Sequence, residues 1–283
     1  MEFTEQLRVE VQRSVAASLA EDIGTGDLTA RLIPASRTAR GRVITREDAV
    51  LCGTAWFDAA FAALEPDASV IWHARDGERL KPGQLLCEVD ASARALLTAE
   101  RTALNFIQLL SGTATLTATF VAAVAGTKAK IVDTRKTLPG LRLAQKYAVR
   151  VGGGTNHRVG LYDGILIKEN HIIAAGSIKA VIEQARSYAP SNVFIEVEVE
   201  DLAQLDEALA AGAKMILLDN MDLDQMRAAV ALNDGRAELE ASGGVNLERV
   251  RAIAETGVDR ISIGSLTKDL RAIDLSLRHV EEE

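Results

Sequence analysis

The residues of this chain best suited to chemistry gather between Asp133 and His171, in the run DTRKTLPGLRLAQKYAVRVGGGTNHRVGLYDGILIKENH. Arg135, Lys136, Arg142, Lys146, Arg150, His157, Arg158, Lys168 and His171 stand there against only Asp133, Asp163 and Glu169. The whole chain carries formal charge −8, so this is a positive island in an acidic protein. Guanidinium groups offer a two-pronged fork to carboxylates, and a hydrogen bond to a charged group is worth about 1.5–3 kcal/mol. Two short apolar runs frame the island, 130–132 and 164–167, and each ends abruptly in charge, as buried parallel strands do where they surface. Between them Leu141, Ala144, Ala148 and Val151 keep helical spacing, and Gly152-Gly153-Gly154 ends that helix. Arg135, Lys136 and Lys168 are then expected on one rim, with His157 and Arg158 on the loop approaching it. That makes a cup for a small polyanion.

The elements that hold this cup follow from the rest of the pattern. After Gly126 strands and helices alternate, with strands expected at Lys130–Thr134, Gly164–Lys168, Phe194–Val199, Met215–Asp219, Glu238–Ser242 and Arg260–Gly264. Amphipathic stretches at Ile178–Tyr188, Leu202–Ala211, Leu223–Leu232 and Leu247–Glu255 lie between them. Regular βα repetition implies a parallel sheet, barrel-like or doubly wound. Six strands fall short of the eight of a closed barrel, so an open or incomplete barrel is expected. In such folds the site forms where the loops at the carboxyl edge converge. The expected ends sort by chemistry: cations at the first two, Glu198 and Asp219 at the middle two, glycines at the last two.

Each group has a specific use. Ser242-Gly243-Gly244 and Gly264-Ser265 suit a phosphate held by backbone N–H groups, on the last two strands where barrels place that site. Glu198 and Asp219 are hard oxygen donors for Mg²⁺, which needs one or two carboxylates beside phosphate oxygens. They could equally stabilise a cationic transition state or bond ribose hydroxyls. Glu196 and Glu200 share the strand face of Glu198 by alternation, which leaves the choice among the three open. Lys168 alone would also suit a Schiff-base aldolase, although the crowd of cations around it makes anion binding the simpler role.

The bulk numbers exclude several classes. At 283 residues, with 48% hydrophobic and 25% charged residues, the chain reads as a globular protein of one large or two moderate domains. Net acidity argues against nucleic-acid binding. Aromatic content of 4% predicts an aliphatic core and no base-stacking platform. Cys52 and Cys87 have neither metal-ligand spacing nor a disulfide framework and read as reduced, buried thiols. No stretch approaches the roughly 20 apolar residues of a membrane span. The charged N-terminus is unlike a signal peptide, so a cytoplasmic location is expected.

The N-terminal part is expected to open with a helix over residues 3–20, followed by the acidic turn Glu21–Thr29 with a helix cap at Asp27. Short strands are expected at Arg42–Thr45, Ser69–Trp72 and Leu85–Val89, with a helix at Thr54–Leu64. A helix from Ala93 to Leu110 breaks at Ser111-Gly112 and resumes to Val124. Arg101 on that helix, taken alone, reads as an ordinary surface cation.

Taken together, Glu100-Arg101-Thr102 through Ser111-Gly112-Thr113-Ala114-Thr115, Asp133-Thr134-Arg135-Lys136-Thr137, Gly152-Gly153-Gly154-Thr155-Asn156-His157-Arg158, Ile167-Lys168-Glu169-Asn170-His171, Glu196-Val197-Glu198-Val199 and Leu217-Leu218-Asp219-Asn220 resemble the quinolinate phosphoribosyltransferases. The Glu21–Thr29 segment resembles their N-terminal signature. The resemblance implies a type II phosphoribosyltransferase of de novo NAD biosynthesis that joins quinolinate to phosphoribosyl pyrophosphate, giving nicotinate mononucleotide, pyrophosphate and CO₂ with Mg²⁺. It implies an α/β protein with an N-terminal α/β sandwich domain (1–110), an incomplete barrel (111–268) and a tail (269–283) returning to the first domain. It assigns quinolinate to Arg135, Lys136, His157, Arg158 and Lys168, with Arg101 supplied by the other subunit of a homodimer. Thr134 falls within the same motif. The phosphoribosyl and metal groups fall on Glu198, Asp219, Ser242, Gly243, Gly244, Gly264, Ser265 and Lys268, and the catalytic group comprises Lys136, Lys168, Glu198 and Asp219. Lys268 stands where some members carry histidine, and a cation is kept. The nearest rival is a related enzyme acting on another ring carboxylate without decarboxylation. A non-catalytic anion binder is disfavoured, because Glu198 and Asp219 would repel its ligand.

Overall fold

The computed structural model describes residues 4–280; Phe3 of the expected first helix and residues 281–283 of the tail lie outside the described residues. The chain divides into two compact units, Met1–Ala118 with Thr137–Gly153 and Asp269–Glu283, and Thr119–Lys136 with Gly154–Lys268.

In the first unit, helix α1 (Glu5–Ile23) is capped by the Thr4 side chain and buries Leu7, Val11, Val15 and Leu19 at helical spacing. The strands are β1 (Thr38–Thr45), β2 (Ala49–Val50), β3 (Ser69–Trp72), β4 (Arg79–Leu80) and β5 (Leu85–Ser92), with α2 (Thr54–Ala62), α3 (Ala93–Ala123) and α4 (Arg142–Val151) as helices. The tail strand β12 (Leu275–Val280) completes an antiparallel sheet of order β12-β1-β5-β3. The cap position of a single 3₁₀ turn (Ala30–Leu32) falls on Thr29 and not on Asp27, which sits two residues earlier and accepts from the Thr29 and Ala30 amides at 2.9 Å each.

Three expectations change here. Helix α3 runs unbroken for 31 residues through Ser111-Gly112. Ser111 Oγ is buried and bonds the Cys52 backbone, accepting at 2.9 Å and donating at 3.1 Å. A Cβ on Gly112 would collide with the Arg271 carbonyl oxygen. The pair therefore marks close packing, not a helix end. By length and composition α3 could cross a membrane, contrary to the sequence expectation, yet half of its most apolar window is buried inside the protein. The core is also not purely aliphatic: Trp56, Phe57 and Phe61 are fully buried, with the Phe57 and Phe61 rings 5.1 Å apart. A chain-wide average conceals such a local cluster.

The second unit contains β6 (Lys130–Val132), β7 (Gly164–Ile167), β8 (Phe194–Val199), β9 (Met215–Asp219), β10 (Glu238–Ser242) and β11 (Arg260–Ser262). Helices α5 (Glu169–Ala175), α6 (Ile178–Tyr188), α7 (Leu202–Ala210), α8 (Leu223–Asn233), α9 (Val250–Ala254) and α10 (Ser265–Lys268) alternate with them. All pairings are parallel, in the order β6-β11-β10-β9-β8-β7. Thr155 bridges the outer edge of β6 through Val132. In a flat sheet, β6 would lie four spacings of about 4.8 Å from β8, and Thr155, one spacing further out, about 24 Å from it. His157, two residues beyond Thr155, instead has its Nε2 2.7 Å from Glu196 Oε2 on β8. The sheet is therefore rolled into a barrel, open because β6 and β7 do not pair with each other. Every strand ends at the same mouth.

Candidate active site

The mouth of this barrel holds a cavity of about 340 Å³, lined by Asp133, Thr134, Arg135, Lys136, His157, Arg158, Leu166, Lys168, Glu198, Leu217, Asp219, Glu240, Ser242 and Ser262. Its cationic wall is built from the β6 end outward. Asp133 is fully buried and ties down the loop beside it, accepting from the His157 amide at 2.8 Å and from Asn156 Nδ2 at 2.6 Å. Thr134 Oγ1 accepts from the Lys136 amide at 3.1 Å, turning the chain so that Arg135 and Lys136 leave the strand at the mouth. Lys136 is pinned by Thr267 Oγ1, which donates to its carbonyl at 2.8 Å. Its aliphatic stem lies across Gly264, where an added Cβ would sit 2.9 Å from Lys136 Cδ.

Arg158 Nη1 donates to the Gly164 carbonyl at 3.0 Å. Burial first, and then the neighbouring Arg135, pull its guanidinium below the ordinary arginine range, against the opposing pull of Glu196 and Asp163. A second guanidinium beside a partly desolvated one favours an anion in the cavity next to them. Lys168 ends β7 and caps α5, a helix absent from the sequence expectation; His171 Nδ1 accepts from its amide at 2.9 Å. Its Nζ lies 3.0 Å from Glu198 Oε2, and its side chain is 52% exposed. That solvated, charge-paired setting is the opposite of the dry pocket a Schiff-base lysine needs.

Opposite lies the acidic wall, with the glycine-rich ends of β10 and β11 beyond it. Depth separates the three glutamates that alternation left open. Glu196 is fully buried beneath the mouth, Glu198 lines the cavity, and Glu200 lies exposed beyond the end of β8. Asp219 accepts from Asn220 Nδ2 at 2.7 Å. Asn220 has φ +54°, and its amide donates to the Ser242 carbonyl at 3.0 Å. Gly243 has φ +102°, and a Cβ there would collide with Asn220 Oδ1. The glycine after β10 is thus required by the carboxamide that steadies Asp219.

Gly243, Gly244, Gly264, Ser265 and Lys268 follow the ends of β10 and β11 but do not line the cavity itself. Arg101 lies in the first unit, exposed, beside a separate hollow of about 330 Å³ that also includes Glu21, Asp22 and Asn105.

Glu240 and Ser262 also line the cavity, one turn of alternation below Ser242 in the first case. Attention to strand ends alone passes over Glu240; the alternation Glu238-Leu239-Glu240-Ala241-Ser242 was the available signal. Burial and the Glu196 carboxylate push Glu240 up to about 7, opposed by His157 and Arg260. His157 Nε2, Glu196 and Glu240 present possible ligand atoms within 4.8 Å of one another. The ring argues against a metal there. His157 Nδ1 accepts from the Arg158 amide at 2.7 Å, so in the neutral ring the proton sits on Nε2, which then has no lone pair to offer.

Comparison with known proteins accounts for nearly the whole chain. Residues 27–111 match the family model "Quinolinate phosphoribosyl transferase, N-terminal domain", and residues 113–278 match that of the C-terminal domain. The chain is 45% identical to the probable nicotinate-nucleotide pyrophosphorylase [carboxylating] of Bacillus subtilis, over 91% of this chain and 89% of that protein. It is 46% identical to the nicotinate-nucleotide pyrophosphorylase [carboxylating] of Mycobacterium leprae, over 93% and 95%. The solved structure of the nicotinate-nucleotide pyrophosphorylase from Francisella tularensis superposes with a TM-score of 0.94 at 45% identity, covering 96% of this chain and 97% of that one.

Proposed function

The chain belongs to the quinolinate phosphoribosyltransferase family, and from that premise we propose that it joins quinolinate to phosphoribosyl pyrophosphate, giving nicotinate mononucleotide, pyrophosphate and CO₂ for NAD synthesis. The observation that carries this reading is one cavity that holds a cationic group, Arg135, Lys136, Arg158 and Lys168, and the acidic pair Glu198 and Asp219. A pyridine dicarboxylate suits the neighbouring Arg135 and Arg158 guanidinium groups, with Lys136 and Lys168 adding charge at the rim.

The chemistry then follows from charge. As the ring nitrogen attacks C1 of the ribose and pyrophosphate departs, positive charge grows on the sugar, and the Glu198 and Asp219 carboxylates stabilise it. The alkylated ring nitrogen is cationic. When the C2–carboxylate bond breaks, CO₂ leaves, the electron pair stays on C2 beside that cation, and a proton then takes its place. The protein holds the 3-carboxylate firmly so that only its neighbour departs. Lys168, paired with Glu198, links the two walls. Ser242, Gly243, Gly244, Gly264, Ser265 and Lys268 are assigned to the phosphates, through backbone amides and one cation.

Glu198 and Asp219 suit Mg²⁺ as hard oxygen donors. Each engages one carboxylate oxygen, with Lys168 and Asn220 respectively, which leaves the other for a cation. Bound there, Mg²⁺ would neutralise the pyrophosphate oxygens as their charge develops.

A homodimer with Arg101 of the partner subunit reaching each cavity belongs to the same reading. It is supported by the family resemblance and by Arg101 being an exposed cation of the first unit. A cytoplasmic setting is supported by two free, buried cysteines. Neither nucleic acid nor membrane is a partner in this reading. The test is product analysis with quinolinate, phosphoribosyl pyrophosphate and MgCl₂. Equimolar nicotinate mononucleotide, pyrophosphate and CO₂ are expected, and turnover of nicotinate without CO₂ would instead select the non-decarboxylating relative.

A further inference from the structure

Glu196 lies buried under the cavity and Glu240 lines its floor, at 0% and 1% exposure, and neither is needed by the chemistry above. One oxygen of each, Oε1, is buried without a hydrogen-bond partner. Arg260 Nε donates to Glu240 Oε2 at 2.9 Å, whereas Glu196 Oε2 meets only His157 Nε2, at 2.7 Å, among the described residues. Glu240 Oε1 stands 3.8 Å from the same nitrogen. A buried carboxylate matched, like Glu196, by a single imidazole N–H costs several kcal/mol relative to an apolar filling of the same volume. Such a cost calls for a use.

The use lies one bond further along. The His157 ring spends both nitrogens inside the protein. Nε2–H points to Glu196, and the Nδ1 lone pair takes the amide proton of Arg158 at 2.7 Å. Phe194 packs edge-on against the ring at 5.4 Å, and Asp133 grips the His157 amide. We propose that Glu196, backed by Glu240, is a positioning residue that fixes the His157 tautomer and, through it, the backbone of Arg158, so that the Arg158 guanidinium is aimed at the quinolinate carboxylate. His157 is then a strut for Arg158 and not a hydrogen-bond donor to substrate, which revises the role the family resemblance suggests for it. The inference rests on the proposed function for the identity of the anion.

Two measurements test it. First, ¹⁵N spectra of histidine-labelled wild-type protein should show the His157 proton on Nε2, with Nδ1 bare as the acceptor of the Arg158 amide. A proton on Nδ1 overturns the proposal. Second, Glu196→Gln keeps an acceptor for Nε2–H, while Glu196→Ala removes it. Glu196→Ala should raise the quinolinate KM about tenfold or more, with the phosphoribosyl pyrophosphate KM unchanged, and Glu196→Gln should stay within about threefold of wild type. Equal damage from both variants, or parallel loss for both substrates, indicates a merely structural role and also overturns it. The tautomer is read without turnover, so failure of the reaction assignment leaves that result standing. Failure of the strut leaves product formation standing.

Discussion

Gly243→Ala offers a way to disturb one wall of the cavity while sparing the other. The backbone there sits at φ +102°, a conformation L residues rarely adopt, and the new methyl would collide with Asn220 Oδ1. Forcing a side chain into such a conformation costs about 1–3 kcal/mol of stability. Relief comes most easily by moving the Asn220 carboxamide, which breaks its 2.7 Å bond to Asp219. A hydrogen bond to a charged group is worth about 1.5–3 kcal/mol. If Asp219 serves the phosphoribosyl half, kcat/KM for phosphoribosyl pyrophosphate should fall roughly tenfold to over a hundredfold. Quinolinate binding, measured by calorimetry without the second substrate, should stay within about twofold, because Arg135, Arg158 and Lys136 are untouched. A variant that loses quinolinate affinity as severely as turnover, or one that loses neither, would refute the separation of the two walls.

Glu240→Gln should change how stability depends on pH. Glu240 rises from an ordinary 4.5 to about 7 in the folded protein. Its contribution is therefore fully present below about pH 4.5 and is lost as pH climbs through about 7, on the order of 3 kcal/mol in total. Urea midpoints should move in favour of the variant, relative to wild type, between about pH 5 and pH 8, and a constant difference would contradict the shift. Excess chelator should abolish turnover while leaving quinolinate affinity intact; full activity without divalent cation would remove the role assigned to Glu198 and Asp219. Arg101→Ala and Lys168→Ala should each be nearly inactive, and mixed dimers of the two should recover toward half of wild-type activity per heterodimer. Subunit exchange without recovery would remove the shared site.

The barrel was legible because each strand is an apolar run that stops at a charged or glycine-rich end, so period and polarity agree at Gly164–Ile167 and Met215–Asp219. The return of the tail was expected only from the family resemblance, and its strand β12 not at all, since its pairing with β1 joins residues more than two hundred positions apart and leaves no local trace. Ser111-Gly112 misled for a related reason: the residues that justify it, Cys52 and Arg271, are remote in sequence. At the site, residue type disclosed the two walls but not depth. Glu196 and Glu198 share a strand face, and only the curl of the sheet, which carries His157 round to β8, makes one a buried anchor and the other a cavity carboxylate. The crowding of Arg135 against Arg158 likewise depends on the loop tied down by Asp133.

The central claim is that a dicarboxylate is held by one wall while alkylation from the other wall releases only the carboxyl next to the ring nitrogen. Quinolinate labelled separately in its 2- and 3-carboxyl carbons tests this directly in a single turnover. The 2-carboxyl label should leave as CO₂ only when phosphoribosyl pyrophosphate is present, and the 3-carboxyl label should remain in the mononucleotide. Release of the 2-carboxyl label without phosphoribosyl pyrophosphate, or a mononucleotide that retains both labels, would contradict it.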